Sequence, residues 1–379
     1  MAATMHPNYS PGLEGVIGGV TTISEIDSDH SRLVYRGYDS HDMAEKGSFE
    51  ETAYLLLYGK LPNGSELKAF RETLSAEREV PAEIYHVLSQ LPKHTHPMDA
   101  LRTAFSALAP FDPDYTKNDH DANVRKAVRI AAKAGTIVAN GHRIRNGQTP
   151  IPPDPSLGIA GNFLYLLNGG QKPDEFTENV MDTSLTLYAE HGYNASTFAC
   201  RVTVATLSDL YSGIVTGIGT LKGHLHGGAN EEAMKMLQEI GSPANAESWI
   251  RDALATKKKI MGFGHREYKK GDSRVPVLSR LAKEIGKRKG DTHWGDIADT
   301  VERVMLDEKG IHPNVDFPAA YAYFQLGIPI DLYTPIFVIA RVTGWSAHAI
   351  EQLDNNRLIR PACIYEGPKS VEWVPVEQR

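Results

Sequence analysis

Three short segments in the C-terminal half of the chain hold residue types suited to carbonyl chemistry: residues 225–230 (LHGGAN), 261–266 (MGFGHR) and 313–316 (PNVD). His226 and His265 each abut glycine, where backbone can approach a ligand closely. Histidine donates or accepts hydrogen bonds near neutral pH, and Asp316 offers a carboxylate base. Two histidines and one acid, brought together, suffice to take a proton from the carbon beside a carbonyl and to stabilise the resulting enolate. Asp316 has a second explanation. It precedes Phe317-Pro318 and an apolar stretch, the pattern of a helix N-cap, and taken alone that explanation is the stronger.

Other residues have the same double character. His191 sits at a predicted helix break before Gly192, placed to reach a cleft or to serve as a satisfied structural histidine. Arg341 lies in the apolar run 337–345 and needs an anionic partner, from protein or ligand. Arg360 reads by default as a surface arginine. Residues 257–274 carry seven Lys/Arg against two acids, a local reversal of sign in a chain of net charge −7. Beside a glycine loop such charge suits phosphate; it also fits a solvated basic helix end. The loop has neither the Walker A spacing nor a dinucleotide fingerprint. His94/His96 and His224/His226 have H-x-H spacing, a weak metal signal without a clustered third ligand.

Most of the chain reads as helix. Ser48 to Glu51 forms a capping box before Phe49, Thr52, Ala53, Leu56 and Leu57 at helical spacing. Further stripes fall at Ile84/Val87/Leu88/Leu91, Met98/Leu101/Phe105/Leu108 and Ile297/Val301/Val304/Met305. Alternation over residues 20–26 and 33–38, with a polar turn at 27–32, predicts a small N-terminal β hairpin. The proline-rich segment 149–155 is either an interdomain linker or a loop across one domain. Gly213, Gly217, Gly219 and Gly223 permit close packing or hinge motion, packing being commoner. No repeat of solenoid period is present.

Composition bounds the rest. At 379 residues, 41% hydrophobic and 23% charged, the chain has the balance of a soluble globular protein. Its acidity argues against a nucleic-acid partner. No apolar run approaches about 18 residues, so no membrane span is expected. The first residues lack a secretory pattern, and two cysteines (Cys200, Cys363) form no disulfide framework. A cytoplasmic location is the expectation.

In order and spacing these segments together resemble the citrate synthase family in its shorter bacterial and archaeal form; 2-methylcitrate synthases share almost all of them. The match runs from residues 11–16 (PGLEGV) and 35–38 (YRGY), through 96–99 (HPMD) and 190–197 (EHGYNAST), to 339–345 (IARVTGW) and 359–361 (IRP). The resemblance implies a mainly α subunit with a large helical domain (1–222 and 324–379). A small domain (223–323) would close over substrates in the cleft between them. It implies a homodimer, and condensation of acetyl-CoA with oxaloacetate followed by thioester hydrolysis, with no cofactor and no metal. It assigns Asp316 as base, His226 to the thioester oxygen and His265 to the oxaloacetate carbonyl. His191, Arg274, Arg341 and Arg360 would hold the oxaloacetate carboxylates, Arg360 from the partner subunit. The CoA moiety would meet Lys257, Ile260, Gly262, Gly264, Arg266 and Asn314. The family commonly has proline at the positions of His224 and Ser273. The alternative activity is that of a 2-methylcitrate synthase using propionyl-CoA; a non-catalytic helical scaffold is more remote.

Overall fold

The computed structural model describes residues 9–265, 267, 268 and 270–379, in which sixteen α-helices dominate. The centre is a pair of long helices, His120–Arg145 and Tyr333–Asp354, packed on each other. The second is buried almost all round, as its near-continuous apolar run requires. Asp119 starts the first by accepting from Ala122 N at 3.0 Å. Helices Glu175–Tyr188, Ala195–Val204 and Leu210–Leu221 pack against this pair. The apolar stripes of the sequence map onto helices Phe49–Tyr58, Ala82–Ser89, Pro97–Leu108 and His293–Lys309. A second set of helices, from Ala229–Ile240 to Asp316–Gln325, packs largely on itself and meets Tyr333–Asp354 through the helix Ala229–Ile240.

Several expectations resolve here. The N-terminal β element is a three-stranded antiparallel sheet (Ser24–Asp27, Arg32–Tyr35, Tyr38–Asp39), one strand more than the expected hairpin. The third strand arises because the chain turns back at Arg36-Gly37, both at positive φ. Ser48 does cap its helix, but the Glu51 carboxylate takes the Ser48 hydroxyl at 2.8 Å; the reciprocal box stands at Asn63 and Glu66. The segment 149–155 is a loop across one packed unit. Helices His120–Arg145 and Ile159–Leu167 on either side of it are in contact, and the Asn140 side chain bonds both N and O of Ile151. Gly213 and Gly217 are packing glycines: a Cβ would come within 2.8 Å of Val204 and 2.9 Å of the Trp345 ring. No helix among the described residues is long and apolar enough to cross a membrane.

Candidate active site

One cleft, with about 2500 Å³ of empty space including its open mouth, collects His191, His226, His265, Arg274, Asn314, Asp316 and Arg341. These residues span 150 positions of sequence, so the fold brings them together.

His191 follows the helix Glu175–Tyr188, and Gly192 at φ +58° turns the chain toward the helix Ala195–Val204. Ser24 of the sheet braces this turn, accepting from Gly192 N at 3.1 Å and donating to Glu190 at 2.9 Å. The His191 ring is buried and its Nε2 has no hydrogen-bond partner among the described residues. Burial, with Arg274, His265 and Arg341 nearby, holds its pKa well below the usual imidazole value. The His191 and His265 ring centroids lie 4.9 Å apart.

His226 lies in a turn closed by His226 N to Gly223 O (2.8 Å) and Gly227 N to Leu221 O (2.9 Å), which defines the backbone despite His224 in place of proline. Ser196 N donates to His226 Nε2 at 3.2 Å. That nitrogen is therefore the acceptor, leaving Nδ1 to carry the ring proton. Trp345 Nε1 donates to Ser196 Oγ at 3.1 Å, and Ser196 Oγ lies 2.8 Å from the same His226 nitrogen. Burial, and secondarily Arg341, push the His226 pKa down to about 4, so the ring is neutral at pH 7. In His265 the Nδ1 accepts from Glu267 N (3.1 Å) and Tyr268 N (3.3 Å), which assigns its proton to Nε2.

Asp316 is not the cap of its helix. It is the first helical residue of Asp316–Gln325, and its own N–H is taken by Asn314 Oδ1 at 3.1 Å. The Asp272 carboxylate takes Val315 N at 3.1 Å. With the capping done by its neighbours, the Asp316 carboxylate accepts instead from Tyr188 Oη at 2.8 Å. Burial raises its pKa to about 6; the Tyr188 hydrogen bond and Arg274 limit the rise. That value suits a base working near neutrality.

The two buried arginines differ. Arg274 is fixed by a bidentate pair with Asp272 (2.9 and 2.8 Å), which raises its pKa against the effect of burial. Arg341 donates through Nε to Tyr188 O at 2.8 Å and has no carboxylate within ion-pairing distance among the described residues. Burial lowers its pKa to about 10, with Glu190 opposing, so it stays cationic at pH 7. An uncompensated buried guanidinium facing a cleft favours an anionic ligand.

At the cleft's other side, Gly262 and Gly264 form a loop zipped to residues 312–314. Gly264 N bonds His312 O, Asn314 N bonds Gly262 O, and Asn314 Nδ2 bonds Gly264 O, all at 2.9 Å. Gly262 has φ +80°, and a Cβ there would strike Phe317 at 2.8 Å, so only glycine fits. Ile260 and Lys259 line the cleft; Lys257 is exposed and outside its lining. Arg266 lies outside the described residues. Arg360 sits on the exposed segment after the last long helix and does not line this cleft.

Residues 224–226 form a turn and not a strand, so the H-x-H pair has no metal geometry. His96 caps the helix Pro97–Leu108 and faces Glu231 at 3.5 Å. No group of three or more metal-capable side chains occurs among the described residues. Sequence reasoning missed Tyr188, Ser196, Trp345 and Asp272. Ser196 and Trp345 stood within quoted motifs and Asp272 within the basic segment 257–274, but no local signal marked any of the four as a partner of the site.

The chain is similar to known proteins over nearly its whole length. The family model described as citrate synthase, C-terminal domain, matches residues 12–362. Citrate synthase 2 of Bacillus subtilis is 48% identical over 97% of this chain and 98% of its own length. The 2-methylcitrate synthase of Mycobacterium tuberculosis H37Rv is 46% identical over 95% and 91%. The citrate synthase of Thermoplasma acidophilum, solved as a ternary complex with carboxymethyl coenzyme A and oxaloacetate, superposes with a TM-score of 0.92. It is 36% identical, covering 98% of this chain and 99% of its own.

Proposed function

The chain belongs to the citrate synthase family and is an acyltransferase of that type, and from this premise we propose that it condenses acetyl-CoA with oxaloacetate and hydrolyses the citryl thioester to citrate and CoA. The observation that carries the reading is the convergence of a carboxylate of raised pKa, a neutral histidine of assigned tautomer and a second histidine on a cleft holding two buried arginines. Asp316 takes a methyl proton from the thioester. His226 donates through Nδ1 to the thioester oxygen as negative charge develops there, and His265 polarises the ketone of oxaloacetate. The enol carbon attacks that ketone, and water then cleaves the thioester. Arg274, Arg341 and the Nε2 of His191 bind the dicarboxylate, whose planar ends match guanidinium groups. Ile260, Gly262, Gly264 and Asn314 contact the CoA moiety, with Lys257 and Arg266 meeting its phosphates. Lys259, which lines the cleft, joins them.

Thiol release should require oxaloacetate and be faster with acetyl-CoA than with propionyl-CoA. Faster release with propionyl-CoA would favour the 2-methylcitrate reading, which has the relative at 46% identity behind it. One methylene discriminates by only about 1–3 kcal/mol, so activity on both is expected. In the same assay Lys259→Ala should raise KM for the thioester and leave that for oxaloacetate unchanged.

We further infer that residues 223–323 act as a small domain closing on the remainder, which excludes water during condensation. We also infer that the enzyme is a homodimer in which Arg360 completes the partner's oxaloacetate site. Its position away from its own cleft supports this. Mixing inactive Arg360→Ala dimers with inactive Asp316→Asn dimers under subunit exchange should restore activity, because one site of each hybrid carries neither lesion. No recovery after verified exchange would sink the shared-site reading.

A further inference from the structure

A second cavity shares no lining residue with the active cleft. Leu88, Leu101, Ile137, Val138, Ile144 and Pro335 give it an apolar interior, a cavity of about 90 Å³, several times the space one water needs. A packed helical interior rarely leaves such a space between leucine and isoleucine side chains. Its two charged lining residues, Lys93 and Arg145, are both cations, while burial lowers the pKa of His142 beside them. Lys93 is exposed and has no carboxylate within ion-pairing distance among the described residues. Arg145 pairs with Asp331 at 2.6 Å and also reaches His142 Nδ1 at 3.3 Å. The charges at this rim therefore sum to positive, over an apolar interior.

The cavity walls are tied to the catalytic turn. Asp331 belongs to the short turn Ile330–Leu332, which leads into the helix Tyr333–Asp354. One residue before the cavity wall at Pro335, Thr334 donates to Glu231 and approaches Gly227 O at 3.5 Å. Gly227 is the neighbour of His226. On the other wall, Thr95 and Pro97 flank His96, whose Nε2 lies 3.5 Å from the Glu231 carboxylate. The first route reaches the His226 turn, and the second ends on Glu231, in the helix Ala229–Ile240 that follows it.

We propose that this cavity binds an amphipathic monocarboxylate, with a chain on the order of eight carbons, and that its occupancy alters turnover through the His226 turn. The chain fills the apolar interior and the carboxylate meets Lys93 and the planar fork of Arg145. Drawing Arg145 away from Asp331 loosens the turn Ile330–Leu332 and hence the Thr334–Glu231–Gly227 contacts. A thioester or amide of the same acyl chain lacks the charge and binds more weakly.

The test is calorimetric titration of the full-length enzyme with octanoate and with octanamide. Saturating CoA and oxaloacetate are present throughout, so that the active cleft is occupied. Octanoate should bind about tenfold or more tightly than octanamide. Gly141→Leu extends a side chain into the cavity from a helical position where a Cβ meets only Leu88 Cδ1, at 3.6 Å; it should abolish binding. Lys93→Glu, a surface change that leaves the helices untouched, should weaken octanoate several-fold and octanamide hardly at all. Octanoate should shift kcat of the wild type and leave kcat of Gly141→Leu unchanged. Absence of binding, or equal binding by wild type and both variants, overturns the site. Binding with unaltered turnover overturns the coupling to His226.

Discussion

Asp316→Asn should bind both substrates with near-normal affinity and lose about 10²–10⁴-fold in kcat, the range that a positioned general base supplies. The amide keeps the shape of the carboxylate and can still accept from Tyr188, so the loss reports the missing base. The structure makes the helix-cap alternative unattractive, since Asn314 and Asp272 already take the nearby backbone N–H groups. Turnover close to wild type would require another base in the cleft. The same carboxylate sets the pH response. Its pKa is raised to about 6, and it must be ionised to accept a proton, so kcat should fall as pH drops through that value. Tyr188→Phe removes a hydrogen bond that favours the ionised form, so the acid limb should move to higher pH. An unmoved limb would mean that Asp316 does not control it.

His265→Ala should lower condensation by about 10²–10³-fold while the protein stays folded, the cost of removing one donor aimed at developing negative charge. His226→Ala should cost a similar factor, at a different step. In the proposed mechanism His226 serves the thioester oxygen, so its loss should slow exchange of the acetyl-CoA methyl hydrogens with deuterated solvent in the presence of a non-reacting oxaloacetate analogue. In the same proposal His265 serves the ketone, so its loss should leave that exchange intact. Equal effects of the two variants on exchange would mean that the roles are misassigned. No limb of the pH profile near neutrality should belong to His226, because burial keeps its ring neutral down to about pH 4.

The fold class was legible in the sequence because helices are written in local terms. The stripe at Met98, Leu101, Phe105 and Leu108 needs only the 3.6-residue period, and the structure buries those four side chains on one helix. The order of the glycine-histidine segments pointed to the family, which the comparisons bear out. Local reasoning left alternatives open, or fell one strand short, where a short-range pattern did not fix the longer course of the chain. The linker-like segment 149–155 is a loop whose course depends on Asn140 from the preceding helix. The β element gained a strand because two adjacent residues adopt positive φ, and neither residue type demands it in sequence.

What the sequence by itself determined is which chemical groups exist and which local structures carry them: the histidines beside glycine, the acid before a helix, the arginine in an apolar run. Only the tertiary structure decided what each group is. Asp316 need not cap because Asn314 and the distant Asp272 take the nearby N–H groups, and burial beside Tyr188, 128 positions away, raises its pKa. His226 has a defined tautomer because Ser196, 30 positions away, donates to one of its nitrogens. Of the two buried arginines, Arg274 is neutralised and Arg341 is not, because the Asp272 carboxylate lies against one and not the other. Helix periodicity and capping arise from neighbours within about four residues. Protonation state, tautomer and ion pairing arise from whichever groups the packed chain brings within a few ångströms, and from the water it removes.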